Sequence, residues 1–171
     1  MREAMLQISL DTSFLISFAD PNRANHPVAV EYFRHCLAQH IPMWISTVVA
    51  GEFEVGQSVS DLPLQNFRIQ PYNLPHAIRA AAFFRALREE SSGELRDRRP
   101  VIINDLKVIA QAEEEGISVI LTEDENTLAR LAERLLKRGV SSGRVMLLKD
   151  GFTPGRLANP AQGEFPLAPQ L

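Results

Sequence analysis

A single cysteine, Cys36, stands in 171 residues, so no disulfide can form within the chain. That usage points to a reducing, cytoplasmic setting. No apolar run approaches the ~20 residues that a membrane-spanning helix needs, so no membrane role is expected. The stretch ahead of the first apolar run is too short for a signal peptide. An excess of basic charge is also missing. The formal net charge is -3, which excludes the global positive field of many nucleic-acid binders. Affinity for nucleic acid would have to come from local clusters, and here the composition is suggestive. Of the 18 basic residues 15 are arginines, the side chain suited to bidentate phosphate contacts. Three of them, Arg96, Arg98 and Arg99, crowd into "ELRDRRP". There is no internal repeat. What is present, 45% apolar and 23% charged residues, suits one globular domain with a real core.

Short apolar runs alternate with helical stripes. Met5 to Leu10, "MWIS", "FRIQPY", "ISVILT" and "RVMLL" read as strands. Pro71 keeps the third strand short or at an edge. Helices are expected over Asn25–Gln39, from Thr47 to about Gly56, from about Pro75 to Glu90, from a cap at Asn104 to Gly116, and through Leu128, Leu131, Ala132, Leu135 and Leu136 to Gly139. Residues 1–149 form one domain on this reading. Residues 150–171, rich in proline and glycine, form a tail without a core of its own. The alternation implies a mostly parallel sheet of about five strands covered on both faces, a three-layer α/β/α plan. In such sheets ligands gather beyond the carboxyl ends of the strands.

Four acids answer to that rule. Asp11 follows the first strand in "LQISLDTSFLISFAD", where it could equally cap the next helix, although Thr12 or Ser13 could cap without a charge. Glu52 falls on the apolar stripe of "STVVAGEFEVG" with Val48, Val49, Phe53 and Gly56, and a carboxylate there is costly unless compensated. Glu54 falls on the solvent side. Asp105, in "NDLKVIAQA", sits where a first-turn carboxylate would favour the helix dipole. In "LTEDEN", Thr122 and Glu125 match a capping box, leaving Asp124, with Glu123 as its competitor. Converging carboxylates need cations. Hard oxygen ligands without histidine or cysteine at ligand spacing favour Mg²⁺ or Mn²⁺, one or two ions able to activate water against a phosphodiester. The histidines, His26, His35, His40 and His76, are expected at the surface or at helix ends.

Taken in order, "LDTSFLI", "STVVAGEFEVG", "NDLKVIAQA" and "ISVILTEDEN" resemble the PIN-domain ribonucleases, in particular VapC-type toxins of toxin–antitoxin pairs, over roughly Met5 to Leu148. The resemblance implies a PIN-like fold and Mg²⁺- or Mn²⁺-dependent endonucleolytic cleavage of RNA by water. It places the acidic, metal-holding site at Asp11, Glu52, Asp105 and Asp124, with Ser13 and Thr122 as hydroxyl-bearing neighbours that orient ligands or water. It further implies a homodimer and a small antitoxin partner. Arg96, Arg98 and Arg99 then become candidate RNA contacts.

Three other plans compete. A non-catalytic PIN-like binding module would lack the full quartet. A phosphoacceptor receiver would use Lys149 after the last strand, but "FRIQPYNLP" ends without the aspartate it needs. A haloacid-dehalogenase phosphatase would want an aspartate where Ser13 stands.

Overall fold

Five short strands build one parallel sheet, and their order decides where a site can form. The computed structural model describes residues 6–88 and 99–157. Its elements run β1 (Ile8–Leu10), α1 (Thr12–Ala19), α2 (His26–Ala38), β2 (Met43–Ser46), α3 (Thr47–Gly56), β3 (Arg68–Gln70), α4 (Leu74–Arg88), α5 (Arg99–Glu114), β4 (Val119–Thr122), α6 (Leu128–Lys137), β5 (Arg144–Leu147) and α7 (Pro154–Leu157). The sheet order is β3-β2-β1-β4-β5. Register pairs Ile8 with both Met43 and Val119, and Leu121 with Leu10 and Met146. The chain builds outward from β1 to β3, then crosses back to place β4 on the other side of β1. The carboxyl ends of β1 and β4 therefore flank the reversal point at which such sheets bind ligands.

The central strands are buried on both faces: every residue of β1 and of β4 is inside. That explains why they read as continuous apolar runs and not as alternations. Helices α1 and α2 pack on each other, and α4, α5 and α6 form a second contiguous group, which gives the α/β/α layering. Pro71 follows β3 immediately, and β3 is an edge strand of three residues, as its proline demands. Gly116 and Gly139 end their helices at φ +65° and +67°, a conformation that costs glycine little.

Several expectations need correction. Helix α5 begins at Arg99 and not at Asn104, with Pro100 in its first turn, where a missing N–H is harmless. Asp105 is thus well inside the helix, and the first-turn dipole does not explain it. His76 stands in the first turn of α4, a helix end as expected, but it is no surface residue: it is 1% exposed and its Nε2 lies 2.8 Å from Glu115 Oε1. The inward face of α4 is His76, Ala80, Phe83 and Leu87. Leu136, expected on an apolar stripe, is 52% exposed. Beyond residue 149 the chain stays in contact with the body. Leu148 and Leu157 are buried, the Tyr32 hydroxyl donates to the Gly151 carbonyl, and Phe152 packs edge-on against Tyr32. Arg96 and Arg98, and the tail from residue 158, lie outside the described residues; Arg99 opens α5. Cys36 is fully buried, and burial pushes its thiol up to about 12, so it stays protonated and inert.

Candidate active site

The carboxyl ends of β1 and β4 meet through hydroxyl groups. Asp11 occupies the N-cap position of α1, yet its side chain caps nothing. Instead its Oδ2 accepts hydrogen bonds from Ser13 Oγ at 2.9 Å and Thr122 Oγ1 at 2.7 Å. Each hydroxyl also accepts a backbone N–H from the β4 turn, Ser13 from Glu123 and Thr122 from Asp124, both at 2.9 Å. A backbone bond from Asp11 N to the Leu121 carbonyl, 3.1 Å, completes the join. Asp11 is 6% exposed, and burial raises its pKa against the lowering effect of Thr122, Ser13 and the Thr12 backbone. The expectation that Thr12 or Ser13 would cap α1 fails, because both hydroxyls are spent on carboxylates.

Glu52 is half-buried on α3, held between two other helices. Thr12 Oγ1 donates to Oε2 at 2.5 Å, and Asn104 Nδ2 donates to Oε1 at 2.7 Å. Lys107 reaches the same group indirectly, its Nζ 3.3 Å from Asn104 Oδ1. Hydrogen bonding thus makes a carboxylate tolerable on the inward side of α3. The apolar stripe is narrower than the sequence suggests, however, since Gly56 is exposed. Glu54 is exposed, as its position predicts, and accepts the Val59 N–H.

After β4 the acids separate by partner. Glu123 is bound by Arg23 at 3.1 Å and by Asn25 Nδ2 at 2.7 Å. Although burial pushes it up, Ser17, Asn25 and Arg23 hold it below the usual glutamate range. Glu125 pairs with Lys149 in an exposed contact, so Thr122 and Glu125 form no capping box, and Lys149 serves no acceptor site. Asp124 closes the turn into α6: its Oδ1 accepts from the N–H groups of Asn126 at 2.9 Å and Thr127 at 2.8 Å, and its Oδ2 from the Thr127 hydroxyl. Against burial, these bonds keep it lowered.

Asp105 is the outlier. Its Oδ2 is buried and has no hydrogen-bond partner. Burial first, then the charges of Asp11, Asp124 and Glu52, push its carboxyl up to about 8. Asp105 therefore lies within electrostatic reach of the other three predicted acids, whereas Glu123 is tied to Arg23. Among the described residues, no three His, Cys, Asp or Glu side chains lie at metal-ligating spacing. Even so, an unpartnered buried carboxylate oxygen amid three other acids, with no histidine in the cluster, is a donor set that fits a hard divalent cation. Sequence reasoning missed Asn104, Thr12 and Thr127 as holders of these acids. Asn104 carries a misleading signal, since beside Asp105 it reads as a helix cap.

Residues 8–134 match the PIN domain family model. No curated protein matches the chain significantly in sequence. Among solved structures, the fold resembles DNA-bound VapBC from Salmonella typhimurium (18% identity, TM-score 0.57, covering 84% of this chain and 99% of that one). It also resembles VapBC2 from Rickettsia felis bound to a promoter DNA fragment (15%, 0.54, 83% and 98%). A third likeness is to VapC20 from Mycobacterium tuberculosis, a sarcin-ricin loop cleaving toxin (19%, 0.51, 70% and 92%).

Proposed function

Because the chain belongs to the PIN-domain family, we propose that it is a metal-dependent endoribonuclease and the toxin of a toxin–antitoxin pair. The observation that carries this reading is Asp105 Oδ2, buried without a partner beside three further acids. Such a cluster is short of positive charge, and a cation with a phosphodiester would supply the balance.

Asp11, Glu52, Asp105 and Asp124 are the residues that would hold one or two Mg²⁺ or Mn²⁺ ions. When bound, such ions neutralise charge on a phosphodiester and make water more acidic. The chain's own work is to aim the carboxylates. Ser13 and Thr122 fix the rotamer of Asp11, and Thr12 and Asn104 fix both oxygens of Glu52. Thr127 fixes Asp124, and Asp105 must lose its proton for the quartet to carry full charge. The likeness to a sarcin-ricin loop cleaving toxin supports RNA as substrate, and the VapBC complexes support a small antitoxin partner. A homodimer in the cytoplasm completes the reading.

One observation favours a non-catalytic PIN-like binding module, namely the lack of metal-ligating spacing among the described acids. Two measurements separate the readings. Wild type, Asp11→Asn and Glu52→Gln are incubated with structured RNAs in Mn²⁺ and in chelator. Cleavage by wild type in Mn²⁺ alone, lost in both variants, supports the nuclease. Cleavage that survives chelation or both substitutions refutes the mechanism, and no Mn²⁺-dependent thermal shift favours the binding module.

A further inference from the structure

Outside the acidic cluster, the described surface has one cavity that combines positive charge, an aromatic ring and a connection to the site. It is a groove of about 390 Å³ between α4 and α5, with Tyr72, Phe84, Arg85, Arg88, Ile103 and Lys107 along it. Arg85 and Arg88 lie i, i+3 on one side of α4, both exposed, in its last turns. Their position near a helix carboxyl end is favourable by itself, but it does not explain why no described acid pairs with them. No described acid lines the groove; toward the other end of α4, Glu114 pairs with Arg79, and Glu115, just past α5, with His76. Lys107 Nζ sits 5.8 Å from the centre of the Tyr72 ring and donates to Asn104, which donates to Glu52. The groove is therefore net positive and reaches the carboxylates in two hydrogen bonds.

We propose that this groove carries the single-stranded RNA that flanks the cleaved phosphodiester, with Arg85, Arg88 and Lys107 on its phosphates and Tyr72 against a base. The inference rests on the nuclease reading and extends it to substrate class. Acids at the site repel a polyanion unless cations draw it in from the side, and spaced cations beside an aromatic ring match the alternation of phosphate and base. The short side chains of Ala77, Ala80 and Ala81 along its floor leave the groove open.

The test is binding of a fluorescein-labelled 12-nucleotide single-stranded RNA, read by anisotropy in EDTA so that no cleavage intervenes. Arg85→Ala/Arg88→Ala should weaken binding by roughly tenfold or more at low salt. It should also make the slope of log K against log salt less negative by about 1.4, at about 0.7 for each phosphate no longer neutralised. Tyr72→Ala should weaken it by roughly 5- to 100-fold, and Tyr72→Phe should restore it. Arg34→Ala, on the exposed side of α2, should change nothing. Wild-type affinity and slope in the double variant, or no binding by wild type, overturns the proposal. So does a double variant that binds RNA normally but no longer binds a Glu-rich peptide, which would make the groove a protein-docking face. Failure of the nuclease reading looks different: wild type binds the RNA, yet Mn²⁺ brings no cleavage.

Discussion

Replacing Asp105 by asparagine should make the protein more stable while abolishing its activity. The carboxyl is pushed up to about 8 in the folded chain from a reference of 3.8. Between those values the folded state holds a proton that the unfolded chain has released. Stability conferred by this residue is therefore greatest below about pH 4, falls as pH rises, and levels off above about pH 8. At 1.36 kcal/mol per pH unit the gap sets a ceiling of about 5–6 kcal/mol. Half-burial and solvent screening reduce the expected penalty to about 1–3 kcal/mol. Asparagine keeps the shape and cannot ionise, so it escapes the penalty. For a chain of this length that is a gain of about 3 to 8 °C in Tm near pH 8, shrinking toward nothing near pH 4. Thermal unfolding in EDTA across pH 4–9 measures it. Adding Mn²⁺ should raise the wild-type Tm and leave Asp105→Asn nearly unmoved, since binding to the native state alone stabilises by mass action. A variant no more stable than wild type at pH 8, or a gain independent of pH, refutes the account of Asp105 as a strained carboxyl.

Other outcomes follow from the same geometry. Thr12→Val and Asn104→Ala, which release Glu52 without touching substrate, should each lower RNA cleavage about 10- to 100-fold at saturating Mn²⁺ and weaken Mn²⁺ affinity. Asp124→Asn should impair cleavage far more than Glu123→Gln, because Arg23 and Asn25 already hold Glu123; comparable losses in the two would remove Asp124 from the site. Glu113 accepts from Ser141 Oγ, Ser142 N and Oγ, and Gly143 N just before β5. Against burial, these bonds lower its pKa. Its contribution is present above about pH 4.5 and is lost as pH falls through the depressed folded value, so Glu113→Gln should cost about 1–3 kcal/mol in urea unfolding at pH 7 and progressively less as pH falls below about 4.5.

The strands and the PIN-like order of the acids are legible in the sequence because each rests on local pattern: buried apolar runs, turn residues, and polar residues just past the strand ends. What is not legible depends on partners far along the chain. The start of α5 is hidden by "RDRRP", whose charge reads as a loop although Pro100 suits a first turn. His76 looks like a surface residue because Glu115, 39 positions on, is invisible to a local window. The hydroxyls of Thr12, Ser13 and Thr122 read as helix caps, since capping is their commonest local use. In the fold they turn to carboxylates that only tertiary structure brings near. Asn104 misleads for the same reason, and with it the means by which Glu52 is held.

The join between Asp11 and Thr122 spans 111 positions of sequence, and this separation has a consequence for biosynthesis. Asp11 leaves the ribosome 111 positions ahead of its partner Thr122 on β4. A contact of such high sequence separation forms late and at a large loop-closure cost. A chain that has not yet made β4 therefore cannot assemble the acidic cluster. On the endoribonuclease reading proposed above, the topology itself withholds activity until β4 has joined the sheet beside β1.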